Sequence, residues 1–146
     1  MSISKTHIAS FVSLFICITS VHAQQTSAPK DLFFKYSEFI QVFGEKNWDA
    51  VCRFVSDTTK AGFGPNQEGC AGVKRVYNKD HHCWDEMMFA LRQGCKVTSS
   101  DEAITCVAPP QWADESIVVY LGARAGFTYN RKTGTLNATS LICGGD

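Results

Sequence analysis

Two adjacent histidines are the residues of this sequence best suited to acid–base chemistry near neutral pH. His81 and His82 lie in KDHHCWDEMMF, residues 79–89, and acidic residues follow them at four-residue spacing, Asp85 and Glu86. On a helix this spacing places each carboxylate beside its histidine, as in a general base oriented by an acid. The alternative is an exposed first helical turn that serves capping and solubility, and this is the interpretation that we favour.

The sequence lacks the motifs of several well-defined catalytic sites. It contains no HExxH metal motif, no GxSxG nucleophile elbow, no P-loop and no GxGxxG turn. Its other acidic residues stand among residues typical of helix surfaces and turns, so they do not indicate the carboxylate pair of a glycosidase. We therefore predict no catalytic residue, no metal site and no cofactor.

The first 23 residues have the pattern of a secretory signal peptide. A single lysine precedes an apolar segment, residues 8–18, and the final VHA fits the small-x-small cleavage rule. The apolar segment is shorter than the roughly 20 residues of a transmembrane helix, which disfavours the alternative of an uncleaved anchor. We predict a signal peptide over residues 1–23, a flexible leader over 24–30 and a single domain over 31–146. The protein is then secreted and has no membrane anchor.

The charge of the mature chain excludes two classes of partner. The full chain carries 14 basic and 14 acidic side chains, and loss of Lys5 with the signal peptide leaves a slight negative excess. The sequence has no basic run and no interleaving of aromatic with basic residues. Binding to nucleic acid or to an anionic membrane therefore lacks its electrostatic basis.

Cysteine parity predicts a disulfide-bonded domain. The chain has seven cysteines, and removal of Cys17 with the signal peptide leaves six: Cys52, Cys70, Cys83, Cys95, Cys106 and Cys143. An even number in a secreted chain indicates three disulfides, whose connectivity the sequence leaves open. We favour Cys95 with Cys106, because they begin and end adjacent predicted strands joined by a short turn. A zinc site is disfavoured, since no second cysteine or histidine is separated from Cys83 by the two to four intervening residues typical of a structural zinc pair.

Hydrophobic periodicity predicts three helices. The first covers residues 31–43, and the second covers residues 48–55 after the capping residue Asn47. The third covers residues 80–93 and is capped by Asp80. Its apolar side chains form one stripe that we expect to be buried: Trp84, Met87, Met88 and Leu91.

Strand signals dominate the rest of the chain. Glycines exclude a helix from residues 58–79, where VKRVY, residues 73–77, alternates like a half-exposed strand. Further strands are predicted in CKVTS, AITCVA, SIVVYLG, RAGFTYN and TLNATSLIC. Pro109 and Pro110 break this run, and residues 130–134 form a hairpin connection. The fold class is α+β, with helices packed on one face of a largely antiparallel sheet.

This order of elements resembles the nuclear-transport-factor-2-like (SnoaL-like) superfamily. The local similarity lies in EKNWDAVCRFVSD, residues 45–57, in VYNKD before the third helix, and in the final FTYNRKTGTLNATSLI. The resemblance implies a curved sheet wrapped around the long helix, enclosing a conical apolar pocket. Six half-cystines are atypical of the superfamily, so this chain resembles a secreted, disulfide-reinforced branch. Its members include isomerases, dehydratases, transport factors and binding modules, so the fold alone selects no function.

The leading hypothesis is a secreted binding or interaction domain, which holds a small apolar ligand in the cone or contacts a protein partner. The alternatives are an enzyme that performs acid–base chemistry in the pocket and a structural or dimerising extracellular protein. The pocket lining separates these hypotheses: convergent polar groups indicate an enzyme, an apolar lining a carrier, and a filled interior a structural role. Asn137 begins the sequon Asn-Ala-Thr and is predicted to carry an N-linked glycan.

Overall fold

The computed structural model describes residues 29–100, 103–114 and 122–143. The helices are α1 (Lys30–Gly44), α2 (Trp48–Val51), α3 (Gly69–Lys79) and α4 (His81–Arg92). The strands are β1 (Val55–Lys60), β2 (Lys96–Ser99), β3 (Ile104–Ala108), β4 (Arg124–Asn130) and β5 (Thr135–Ile142), and 3-10 turns cover Cys52–Phe54 and Pro110–Ala113. The predicted signal peptide, most of the leader and nearly all of the predicted strand SIVVYLG lie outside the described residues. No helix in the described ranges is long and apolar enough to cross a membrane.

The five strands form one mixed sheet with the order β1-β5-β4-β3-β2. The strands β2 to β5 pair antiparallel in sequence order, whereas β1 joins the edge of β5 in parallel. Alternate residues of the strands are buried under the helices, and the others form an outer face. The α+β class and the packing of helices on a sheet are confirmed, and the parallel β1 is the departure from an antiparallel sheet.

An aromatic cluster joins α1 to the sheet. Tyr36, Phe39 and Phe43 recur at three- and four-residue spacing on α1 and are buried. The ring of Phe127 on β4 lies 5.0 Å from the ring of Phe39 and 5.4 Å from that of Tyr36, centroid to centroid. Phe43 meets Tyr77 of α3 at 5.1 Å. These rings occupy the space between the helices and the sheet.

Helix α4 forms close to its predicted bounds. Asp80 caps it, since Asp80 Oδ1 accepts a hydrogen bond from the Cys83 amide at 3.1 Å. Met87, Met88 and Leu91 of the predicted stripe are buried. The prediction that Trp84 is buried with them is wrong, because its side chain is only partly buried at the edge of the core. Its indole N–H donates to the Phe43 carbonyl at 3.3 Å, and the Lys46 ammonium lies 4.6 Å from its ring centroid.

The chain between α1 and α4 differs most from its prediction. Asn47 does cap α2, and its Oδ1 accepts from the Ala50 amide at 3.3 Å. The helix stops at Val51, however, and the chain passes through a 3-10 turn into β1, where no strand was predicted. β1 pairs with β5 at the edge of the sheet.

The strand predicted for residues 73–77 is wrong, because these residues belong to α3. Val73 and Tyr77 are one helical turn apart and both buried, so the apolar spacing also fits a helix. Gly72 does not end the helix. A Cβ at this position would lie 2.5 Å from the carbonyl carbon of Gln67, and the glycine therefore permits a close approach between α3 and the preceding loop.

Three disulfides connect elements of the fold, and each joins a different pair of them. Cys52–Cys70 links the 3-10 turn to α3, Cys83–Cys143 links α4 to the end of β5, and Cys95–Cys106 links the start of β2 to β3. Their Cα atoms lie 5.2, 5.4 and 5.5 Å apart, respectively. Cys95–Cys106 is the pairing that the sequence favours. The six described cysteines are all paired.

Candidate functional site

His82 lies on a ridge between two surface clefts. Helix α4 positions it in its first turn, where the side chain is 74% exposed. One turn later Glu86 places Oε1 3.1 Å from His82 Nε2. The predicted pairing of His81 with Asp85 is not formed, although the structure describes both residues. We refer to the segment from His82 to Glu86 as the His82 ridge.

One cleft, the Phe63 cleft, has a volume of about 550 Å³ and lies between α3, α4 and the loop after β1. The loop folds around Gln67, whose Oε1 accepts from the Gly64 amide at 3.1 Å and whose carbonyl accepts from the Ala61 amide at 2.8 Å. This fold holds Phe63 at the rim with 77% of its surface exposed. The cleft is therefore edged by an aromatic ring in contact with water.

Cations predominate in the Phe63 cleft. Arg75 and Lys79 lie one turn apart on α3, and both line it. Within the described ranges neither forms an ion pair. Their neighbour Lys74 does, because its ammonium donates to Asp49 at 2.9 Å, and this hydrogen bond and charge lower the pKa of Asp49. The cleft's carboxylate, Asp80, is already engaged as the cap of α4.

The second cleft, the Phe89 cleft, has a volume of about 420 Å³ and lies along α4 beside the 3-10 turn that follows β3. It contains the carboxylates of Asp85 and Glu86, and among the described residues that line it there is no lysine or arginine. Phe89 contributes an aromatic ring that is 71% exposed. The two clefts thus share His82, carry opposite charge and each display an exposed phenylalanine.

Asn137 lies on the other side of the molecule. It is exposed on the outer face of the sheet and stands opposite Thr128 in the β4–β5 register. It lines a third cleft, of about 560 Å³, near the turn that joins these strands. Asn130 holds that turn, since its Oδ1 accepts from the amides of Lys132 and Thr133 at 2.9 and 3.2 Å. A glycan at Asn137 would extend away from the helices.

The sequence predicts the histidines and acidic residues of the His82 ridge, but it does not predict the exposed phenylalanines of the two clefts. The glycines around Phe63 predict only a loop, and Phe89 lies outside the predicted buried stripe. The only signal for Phe89 was its position on α4 opposite the stripe, which a large apolar side chain seldom occupies. Among the described residues, no group of three or more His, Cys, Asp or Glu side chains is arranged to hold a metal ion.

No protein-family model matches this chain, and no curated protein sequence is significantly similar to it. The resemblance to the nuclear-transport-factor-2-like superfamily therefore stays an expectation. The α+β architecture and the geometry of the clefts stand independently of that resemblance.

Proposed function

We propose that this protein is a secreted interaction domain that recognises its partner through the His82 ridge and the two flanking clefts. The observation that carries the proposal is the pair of exposed rings, Phe63 and Phe89, at 77% and 71% exposure. Burial of a large aromatic side chain is favourable, and exposed rings beside clefts are typical of an interaction surface. Aromatic residues are also enriched among the residues that dominate protein–protein binding.

The filled interior favours an interaction domain over an apolar-ligand carrier. The ring of Phe39 lies 5.0–5.6 Å from three other rings, those of Phe43, Phe54 and Phe127. A carrier needs an empty apolar volume large enough for its ligand. The aromatic cluster lies between the helices and the sheet, where the resemblance implies a conical pocket, and this supports recognition at the surface.

The disulfides and the sequon support the extracellular location. Disulfides of this number persist in oxidising compartments and are rare in the cytosol. The exposed Asn137 is accessible to glycosylation, which takes place on the secretory route. Both features agree with the predicted signal peptide.

One observation favours an acid–base enzyme as the second candidate. The contact of 3.1 Å between His82 and Glu86 is the geometry of a histidine oriented by a carboxylate. The histidine is largely exposed, so water has free access to both groups, and catalytic sites usually exclude it. The dyad is better explained as part of a recognition surface.

Native mass spectrometry of the protein purified from culture medium tests the proposal. We expect no retained small molecule and a population of noncovalent complexes. Phe63→Ser and Phe89→Ser should each reduce that population, because each removes an apolar contact surface. Phe34→Ser is the matched control, since Phe34 is also 71% exposed but lies on α1 outside both clefts.

A small apolar molecule that co-purifies in equal stoichiometry would instead identify a carrier. If the complexes persist in both the Phe63→Ser and the Phe89→Ser variants, the clefts are not part of the recognition surface. The same conclusion follows if Phe34→Ser weakens the complexes equally.

A further inference from the structure

We propose that the partner of the His82 ridge is a second copy of this chain, bound about a twofold axis that runs along the ridge. The inference rests on the proposed function and specifies its partner. Its basis is that the two clefts on either side of the ridge are complementary to each other in charge and similar in their aromatic content.

The charges of the clefts are opposite. Arg75 and Lys79 outnumber the single carboxylate among its described lining residues, Asp80, so the Phe63 cleft carries a net positive charge. Asp85 and Glu86 make the Phe89 cleft negative, with no cation among its described lining residues. Opposite patches on two surfaces attract and fix the orientation of docking, whereas like patches repel.

A twofold axis along the ridge converts this arrangement into self-complementarity. The rotation that generates the second copy exchanges the two sides of the ridge, so the Phe63 cleft of one copy faces the Phe89 cleft of the other. The same contact then occurs twice, and the assembly closes as a dimer. With any other relative placement, at least one cleft would face a like charge or remain unfilled.

The aromatic rings provide the apolar part of the contact. In this arrangement Phe63 of one copy meets Phe89 of the other on both sides of the ridge. Aromatic pairs of this kind contribute through burial and through ring geometry, and they are typical anchors of interfaces. The two cleft volumes, about 550 and 420 Å³, leave room for a side chain from the opposite copy.

The glycosylation sequon is consistent with this choice of face. Asn137 lies on the outer face of the sheet, and α4 packs against the opposite face. A glycan there would obstruct association through the outer face of the sheet. The helical side remains available for docking.

Complementary charge reversal tests the dimer. The first variant, Arg75→Glu with Lys79→Glu, makes both clefts negative, and the second, Asp85→Lys with Gln93→Lys, makes both positive. Sedimentation equilibrium of the mature glycosylated protein should show a wild-type dimer that weakens as salt screens the charges. Each variant alone should associate at least about tenfold more weakly, because like clefts face each other. An equimolar mixture should recover the affinity, because each heterodimer then joins a negative to a positive cleft twice.

Controls separate charge complementarity from misfolding. Arg53→Glu with Lys132→Glu applies the same charge change outside both clefts and should leave the dimer unchanged. Circular dichroism and melting curves of every variant should match the wild type. Recovery on mixing itself requires that both variants are folded.

Two outcomes would overturn the inference: a wild-type protein that stays monomeric up to about millimolar concentration, the upper range of weak affinities, or folded variants that fail to associate when mixed. If native mass spectrometry then shows Phe63- and Phe89-dependent complexes with another protein, the proposed function stands and the second copy is not its partner. If no such complex forms, both proposals fail.

Discussion

Trp84 and the two histidines are neighbours on α4 but differ in what they contact. His81 and His82 are exposed, and Nε2 of His82 contacts the Glu86 carboxylate. Trp84 packs against the core, donates a hydrogen bond to the Phe43 carbonyl and lies under the Lys46 ammonium. The tryptophan therefore joins α4 to the end of α1, whereas the histidines stabilise nothing beyond their own turn.

We expect His81→Gln with His82→Gln to change the free energy of unfolding by less than about 0.5 kcal/mol. Trp84→Ala should lower it by about 2 kcal/mol, less than the roughly 3–5 kcal/mol of a fully buried ring, because Trp84 is only partly buried. Urea unfolding measures both values, and Trp84→Phe should recover part of the loss. Equal effects of the histidine and tryptophan variants would show that Trp84 does not join the two helices.

Tyr36 should make the protein sensitive to alkaline pH. Its hydroxyl donates to the Leu91 carbonyl at 2.9 Å, and burial raises the pKa of Tyr36 far above its ordinary value. The folded protein therefore keeps the proton where the unfolded chain has lost it. The free energy of unfolding should fall as pH rises above about 10, the pKa of an unperturbed tyrosine.

Tyr36→Phe isolates this contribution. At neutral pH the variant should lose about 1 kcal/mol, because the Leu91 carbonyl loses its donor. Tyr77→Phe, which removes the hydrogen bond of 2.7 Å to the Leu141 carbonyl, is the matched control at neutral pH. Urea unfolding of Tyr36→Phe between pH 8 and 11.5 should show a shallower alkaline decline than the wild type, a range chosen around the tyrosine pKa of about 10. Parallel declines would mean that Tyr36 ionises as readily in the folded protein as in the unfolded chain.

At the scale of elements, the sequence correctly predicts the helices and strands that are determined by the spacing of nearby residues. Helices α1 and α4 have long apolar stripes and clear caps, and the β3 to β5 strands have alternating or β-branched residues between turns. The i,i+4 contact of His82 with Glu86 follows from helical geometry in the same way. These features need no knowledge of what the element packs against.

The incorrect predictions, for α3 and β1, concern elements that depend on long-range packing. Helix α3 contains two glycines within its first four residues, Gly69 and Gly72, which local rules read as a break. Burial of Val73 and Tyr77 and the disulfide from Cys70 overcome that local cost. The parallel pairing of β1 with β5 joins segments about 80 residues apart, and no local pattern specifies it. Phe63 and Arg75 meet in one cleft for the same reason.

Cys52–Cys70 should be the disulfide on which α3 depends. It closes a loop with a sequence separation of 18, for which chain entropy gives about 3 kcal/mol. Cys52→Ser with Cys70→Ser should lower global stability by roughly that amount and increase amide hydrogen exchange most in α3. Cys95→Ser with Cys106→Ser should have a more uniform effect, because β2 and β3 remain paired by their backbones.

The disulfide set itself is checked by thiol labelling. The denatured, unreduced secreted protein should take up no thiol reagent, and the reduced protein should take up six equivalents, one for each described cysteine. Labelling before reduction would contradict the pairing.

At the scale of the whole molecule, the two faces differ in character. The outer face of the sheet carries a polar row across four strands, formed by Thr98, Thr105, Thr128 and Asn137. The helical side carries the charged and aromatic clefts. A glycan on the polar face would keep that face in solvent and leave the helical side for recognition.

We expect Asn137 to be glycosylated in the protein secreted from eukaryotic cells. Enzymatic release of N-glycans should lower the mass by one glycan, and Asn137→Gln and Thr139→Ala should each abolish the shift. Asn130→Gln is the control, because Asn130 lies in no sequon. The melting temperature of Asn137→Gln should stay within a few degrees of the wild type, since the side chain is exposed. An unmodified Asn137 in the secreted protein would contradict the proposed exposure of this face.

The order of the disulfides along the chain determines where a protease could divide the domain. Between Cys52 and Cys143, a single cut within residues 52–70 or 83–143 leaves the fragments joined by a bridge. Only a cut within residues 71–82 separates the two covalently closed parts. Helix α3 covers most of this link, and a protease must unfold a helix before it can bind the backbone in extended form. Helical order thus protects the one connection between Cys52 and Cys143 that the disulfides leave open.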